Sequence, residues 1–338
     1  MAAADRWRIV TLALTNVGQA HFWWNLKCSL IAAGVTNDVV IGADDEACIA
    51  AYQMPHTRCI VPNWLFTSGG FSHHTQKLDD NVTGSASYGS SSFIKLQRMK
   101  TRPVLEVLAL GYHVLYTDLD VYWAADPREW LLARAALDMS WDDADRQYTR
   151  GADGGNMSVA FDLLIQSDFV PWNARPCGKD TDCRKSFRCG ISHSGSRGRV
   201  CAPEANAGFY FMRSSDASRA FVRELQRMYA HRGTPRDMTE QPVFNKVLAS
   251  VRRQMTWQLL PVQLFTNGWA YRGRRVRPPI GAMPFIVHHN WMSGGLHKRT
   301  RMKDWGMWAL ADDASGSDQP VCMPNHAATA VEKSRTGK

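Results

Sequence analysis

Apolar and polar positions along the chain switch repeatedly between a two-residue and a helical period. Residues 8–14 form a short apolar run that ends at Thr15-Asn16 and reads as a first strand. Phe22, Trp23, Leu26, Leu30 and Ile31 then recur at helical spacing until Gly34. A second strand is expected over 38–42, followed by the acidic Asp44-Asp45-Glu46, a helix over 47–52 and a third short strand over 59–61. Strand, helix, strand, helix predicts a parallel sheet with crossover helices, an α/β fold. A long helix is expected over 93–110, with Leu96, Met99, Val104, Leu105 and Leu108 on one face, Pro103 marking a kink or break, and Gly111 closing it. It feeds Val114-Leu115-Tyr116, a β-prone run that reads as a buried parallel strand.

Beyond Pro127 the pattern predicts a short helix to about 136 and strands over 137–141 and 205–212. Helices follow over 216–230 and 240–248, and strands over 257–260 and 285–288. Residues 63–92 are rich in Ser, Gly, His and Asn and read as a surface loop, His73-His74 and Asp79-Asp80 included. Residues 147–200 read as an irregular insertion. The expectation is one domain over 1–312 carrying that insertion, then a loose tail over 313–338.

With 338 residues and 45% apolar content the chain is long enough for a large core, and 21% charged residues argue against disorder. A formal charge of +9 suits a polyanion, an acidic polymer, a phosphate-bearing ligand or a membrane surface without choosing among them. No glycine-rich phosphate loop follows the first strand, which speaks against Rossmann dehydrogenases and P-loop enzymes. Thirteen Trp fit either sugar stacking or core packing. Of eight Cys, Cys28, Cys48 and Cys59 sit in apolar contexts and read as core thiols. Cys177, Cys183, Cys189 and Cys201 do not match zinc-ribbon spacing, which leaves two loop-stapling disulfides, free thiols or an irregular metal site. Asn81 and Asn156 begin glycosylation sequons. Residues 9–14 are too short for a leader or span, so a luminal protein would need an anchor that this sequence lacks.

The chemistry concentrates at Asp118 and Asp120. Two carboxylates one residue apart, where a strand ends, point to one side of an extended chain. Ligands of open α/β sheets bind at such carboxyl ends. Hard oxygen ligands there suit Mg²⁺ or Mn²⁺ carrying a diphosphate, which points to an enzyme acting on a nucleotide-sugar.

Six stretches in the same order carry a family resemblance: residues 12–16 with the following helix, 40–46 (VIGADDE), 108–127 (LALGYHVLYTDLDVYWAADP), 205–214 (ANAGFYFMRS), 240–248 (EQPVFNKVL) and 287–298 (VHHNWMSGGLHK). Together they resemble the nucleotide-diphospho-sugar transferase domain of glycosyltransferase family 77, the plant and algal arabinosyl- and xylosyltransferases. The resemblance implies a GT-A fold, a Rossmann-like, mostly parallel sheet flanked by helices. It also implies a retaining, UDP-sugar-dependent glycosyltransferase that uses Mn²⁺ or Mg²⁺. The implied donors are UDP-arabinose, UDP-xylose or UDP-galactose, and the acceptor a hydroxyl of a glycan or glycoprotein such as those of cell walls. No nucleic acid is implied, and membrane attachment only through the missing anchor; with such an anchor the location would be the Golgi lumen, otherwise the cytoplasm.

By the same resemblance Asp118, Asp120 and His288 would hold the metal, and Lys298 would neutralise the leaving diphosphate. Thr15, Asn16 and Asp45 would meet the nucleotide, as would Asp118, and Asn206 and Gly208 would leave room for the sugar. Gln241, with Glu240 where the family has Asp, would flank the reacting sugar, and Asp143, beside Asp142, would touch donor hydroxyls. Two other readings are a nucleotidyltransferase or phosphosugar enzyme, which would call for a glycine-rich phosphate loop, and a non-catalytic carbohydrate-binding protein using its Trp as platforms.

Overall fold

A computed structural model of the chain describes residues 7–62, 91–136, 161–168, 204–230, 239–251, 254–272, 284–292, 294–311 and 320–323. Its central sheet has seven strands in the order β3-β2-β1-β4-β7-β6-β8. These are β1 (Ile9–Thr15), β2 (Asp38–Gly42), β3 (Cys59–Ile60), β4 (His113–Thr117), β6 (Leu163–Ser167), β7 (Ala205–Met212) and β8 (Trp257–Leu259). All pairings are parallel except those of β7, which runs against both β4 and β6. A second sheet, β5-β10-β9, joins β5 (Val121–Trp123), β10 (Ile286–His288) and β9 (Phe265–Asn267). This is the α/β architecture with a mostly parallel central sheet flanked by helices that the strand–helix alternation predicts.

The helices are α1 (Ala20–Ala32), α2 (Asp45–Ala51), α3 (Ser91–Met99), α4 (Thr101–Ala109), α5 (Arg128–Ala136), α6 (Asp216–Ala230), α7 (Glu240–Val251), α8 (Gly268–Arg272) and α9 (Gly295–Asp304). Two-residue alternation explains how the main sheet is covered on both faces. In β1, Val10, Leu12 and Leu14 join a core that includes Val104, Leu108, Phe221 and Phe244 from α4, α6 and α7. Ile9 and Ala13 point the other way, into a core with Trp23, Leu26 and Leu30 from α1 and with Phe265 and Ile286 from the small sheet. Gly34 and Gly111 adopt φ of 76° and 83° after α1 and α4, the left-handed turns that end those helices.

Several expectations need correction. The helix expected over 93–110 is two helices, and the break falls at Lys100, ahead of Pro103. Helix α2 begins at Asp45 because the Asp44 carboxylate caps it, accepting from Ala47 N at 2.7 Å. The span 147–200 is not wholly an insertion, since β6 lies inside it as an inner strand between β7 and β8. Cys28, Cys48 and Cys59 are not free thiols: Cys28 bonds Cys322, and Cys48 bonds Cys59. Each cysteine does sit in apolar surroundings, but the pairing is set by Cα–Cα separations of 5.5 and 5.4 Å that only the folded chain creates. The strand expected over 137–141, the four clustered cysteines, both sequons and the paired His and Asp of the 63–92 loop lie outside the described residues.

Candidate active site

The site forms where the two sheets meet. Strand β4 ends at Thr117 and β5 begins at Val121, so Asp118-Leu119-Asp120 is the bridge between sheets. Val121 N donates to Asp118 O at 3.3 Å, which makes the bridge a turn. The two carboxylates therefore converge through a turn and not through the strand alternation expected from sequence. His289 N donates to Asp120 O at 2.8 Å and ties the end of β10 to this turn. The ligand atoms of Asp118, Asp120 and His288 come within 4.8 Å of one another, the one such grouping of three among the described residues.

These residues fit a divalent cation on three grounds. The set is two hard carboxylates and an imidazole. The His288 ring is also oriented to present Nε2. Its Nδ1 lies 2.7 Å from Gln166 Oε1, and Gln166 spends its own NH₂ on Phe265 O and Thr266 O, both at 3.2 Å. With the amide fixed in that sense, Nδ1 must carry the proton and donate, and the Nε2 lone pair faces Asp120 at 3.2 Å. The third ground is Gly208. A Cβ there would overlap His288 Cε1 and lie 2.6 Å from Asp118 Oδ2, so only glycine keeps the space between these ligands open.

Two lysines balance the carboxylates. Lys298, from α9, contacts Asp120 Oδ2 at 2.6 Å. Burial would raise the Asp120 carboxyl, yet the Lys298 ammonium outweighs it and holds it well below the usual range. Lys100 sits at the break between α3 and α4 and touches both Asp118 Oδ1 at 2.7 Å and Glu240 Oε2 at 2.8 Å. Burial opposes its charge, but the two carboxylates raise its pKa above that of an ordinary lysine. Glu240 is only 4% exposed, and burial pushes it up to about 7 against the pull of Lys100.

The carboxylates open into a cavity of about 660 Å³. Asp118, Asp120, Asn206, Gly208, Glu240, Gln241, His288 and Lys298 all line it. Thr15 and Asn16 are buried at the end of β1 and do not; Leu14, Gln19 and Phe22 line that end. Asn16 Oδ1 is buried without a hydrogen-bond partner. Asp45 is exposed on the first turn of α2 and outside the cavity, and Asp143 falls outside the described residues. Sequence reading missed Lys100, Gln166 and Asp168. Asp168, just past β6, also lines the cavity and accepts from Asn206, Gln241, Asn290 and Trp291. The available signals were a lysine among the apolar positions of the helix pattern and polar residues closing a short apolar run.

A family model for nucleotide-diphospho-sugar transferases matches residues 34–302. Over 67% of its length the chain is 24% identical to UDP-D-xylose:L-fucose alpha-1,3-D-xylosyltransferase 3 of Arabidopsis thaliana, covering 50% of that protein. It is 25% identical over 73% of its length to UDP-galactose:fucoside alpha-3-galactosyltransferase of Dictyostelium discoideum, covering 34% of it. It is 25% identical over 90% of its length to beta-arabinofuranosyltransferase RAY1 of Arabidopsis thaliana, covering 48% of it. The chain thus spans half or less of the length of these relatives.

Proposed function

The chain belongs to the nucleotide-diphospho-sugar transferase family, and on that premise we propose that it moves a sugar from a UDP-sugar to a hydroxyl of a glycan or glycoprotein, retaining anomeric configuration. The observation that carries this reading is the convergence of Asp118, Asp120 and His288 beside Lys298. One imidazole among carboxylates favours Mn²⁺ over Mg²⁺. When bound, the cation would supply Lewis-acid stabilisation of the leaving diphosphate.

The chain's own residues do the rest. Asp118, Asp120 and His288 would hold the cation, and Gln166 keeps the imidazole in the tautomer that could ligate it. Lys298 brings a second positive charge to the diphosphate. Gln241 and Asn206, both braced by Asp168, flank the donor sugar, and Gly208 leaves it room. Glu240 acts through Lys100, with which it is ion-paired, and not on the sugar directly. Thr15, Asn16 and Asp45 do not line the cavity, and of the three only Asn16, with its unpartnered Oδ1, has support for a nucleotide contact. Asp143 remains a candidate for donor hydroxyls. Retention is served by attack from the leaving-group face, where a diphosphate oxygen takes the acceptor's proton.

The relatives' names supply the donors to test first: UDP-xylose, UDP-galactose and an activated arabinose. Two of those names specify fucose or a fucoside as acceptor, which makes a fucosylated glycan the first choice. Two disulfides support an oxidising compartment, and the Golgi lumen is the location proposed. No helix among the described residues is long and apolar enough to cross a membrane. One domain is the organisation proposed; it reaches past the expected boundary at 312, because Cys322 is bonded to Cys28 of α1 and residues 321–323 pair with 309–311. Calorimetry with UDP, with and without Mn²⁺, tests the reading, followed by a UDP-sugar hydrolysis panel. Metal-dependent UDP binding that Asp120→Ala abolishes is expected; UDP binding indifferent to both metal and Asp120 overturns it.

A further inference from the structure

We propose that Trp291 is the platform on which the acceptor sugar stacks, and that Asp168 is the residue that positions it. The inference rests on the transferase reading for the identity of the neighbouring donor site.

Trp291 lies three residues beyond His288 and lines the same cavity as Asp118, Gln241 and Lys298. Two features set it apart. Its φ is 62°, a left-handed backbone that a bulky aromatic residue rarely adopts. Its side chain is 52% exposed, although Trp is the residue with most to gain from burial. A strained backbone that turns a large apolar ring outward needs something to hold it. Here the indole Nε1 donates to Asp168 Oδ1 at 2.9 Å.

Asp168 does the same for three other side chains. Its Oδ1 also accepts from Asn206 Nδ2 at 3.2 Å and Asn290 Nδ2 at 2.9 Å, and its Oδ2 accepts from Gln241 Nε2 at 3.1 Å. A carboxylate oxygen offers about two lone-pair positions, so three donors saturate Oδ1 and the hold on Trp291, Asn206 and Asn290 is shared at one atom. Asp168 holds together, in one contact set, the amides assigned to the donor sugar and the ring assigned to the acceptor. The distance between the two substrates is thereby built into a single side chain.

The exposed ring fits a particular ligand chemistry. An indole tied at its N–H edge presents a flat apolar surface with little rotational freedom left to lose. A pyranose with a continuous C–H face stacks on such a surface while its hydroxyls stay in water, and a 6-deoxy sugar offers the larger apolar face. Met292, next in the chain, lines the cavity beside it.

The test uses the whole chain with UDP and Mn²⁺ present. Methyl α-L-fucopyranoside, methyl β-D-galactopyranoside and methyl β-D-xylopyranoside serve as probes, read by saturation-transfer NMR and calorimetry. At least one is expected to receive saturation on its ring C–H protons. Trp291→Ala should weaken that glycoside at least tenfold and leave the affinity for UDP with Mn²⁺ within twofold. Trp291→Phe should recover part of the loss. Asp168→Asn should weaken the glycoside in the wild-type background and not in the Trp291→Ala background, a coupling that general loosening of the fold would not produce. The proposal is overturned if no glycoside binds the wild type, if Trp291→Ala binds it as tightly, or if that variant loses UDP in parallel. Wild-type protein that fails to bind UDP with metal overturns the transferase reading itself, a separate result.

Discussion

Gln166 Oε1 accepts the Nδ1 proton of His288 across 2.7 Å, while the other end of the same amide is committed to the carbonyls of Phe265 and Thr266. The bond joins β6 of the large sheet to β10 of the small one, so the two sheets fix the ring orientation and tautomer of a candidate metal ligand between them. Replacing Gln166 by Leu keeps the volume and removes the acceptor. The imidazole is then free to rotate and to change tautomer, and the affinity for Mn²⁺ measured by calorimetry should fall about 10- to 100-fold. An unchanged Mn²⁺ affinity would show that Gln166 does not orient the ligand.

Gly208 tests the same space from β7. In Gly208→Ala the new methyl overlaps His288 Cε1 and crowds Asp118 Oδ2 at 2.6 Å. Both neighbours are anchored, Asp118 by Lys100 and His288 by Gln166, so the methyl has no soft partner to displace. Overpacking of this kind costs about 1–3 kcal/mol, and the loss should appear as roughly 10- to 100-fold weaker metal-dependent UDP binding with an unchanged circular dichroism spectrum. Normal binding by this variant would mean that the ligands separate more readily than their anchors imply.

Much of this arrangement was legible in the sequence where the signal is periodic. The strands at 9–15 and 205–212 and the helix at 216–230 follow from apolar spacing alone, as does Gly111 at the end of its helix. What escaped lacks period. Strand β6 is five residues long, closes on polar Gln166 and Ser167, and is flanked by stretches rich in Gly, Ser and Arg. Strand β9 is three residues, Phe265–Asn267, too short for any alternation to register. Asp118 and Asp120 were visible as a pair, but the turn that converges them depends on β5 leaving for a second sheet. Lys100 and Asp168 act only through partners distant in sequence, and so do the pairings Cys28–Cys322 and Cys48–Cys59.

A buried ion pair far from the cavity bears on stability. Lys27 of α1 contacts Asp38 of β2 at 2.7 Å, with both side chains nearly inaccessible, and also donates to His56 O at 3.2 Å. Lys27→Met removes one charge and leaves the other buried with no counter-ion. The expected loss is about 3–5 kcal/mol in urea denaturation. Adding Asp38→Leu should restore much of it, because desolvation of the orphaned carboxylate and not the lost attraction dominates the penalty. A double variant no more stable than Lys27→Met would refute that account.

Asp162 gives the pH dependence a definite sign. Its carboxylate, just before β6, accepts from Thr256 N at 3.0 Å, Thr256 Oγ1 at 2.9 Å, Ser215 Oγ at 2.7 Å and Arg213 at 3.2 Å. It thereby ties the approach to β8 and the start of α6 to the sheet. Burial would raise its pKa, but the Thr256 N–H and the other donors outweigh that and lower it. An acid whose folded pKa lies below its unfolded value of about 3.9 adds stability above that value. The contribution disappears as pH falls through the depressed folded value. Asp162→Asn presents an NH₂ to donors and should lose about 1–3 kcal/mol at pH 7. Urea denaturation at pH 7 and again near pH 3 should find the gap between wild type and variant narrowing in acid, since protonation removes from the wild type what the substitution removed already. A gap that stays constant or widens in acid would mean that the Asp162 charge contributes no such stability.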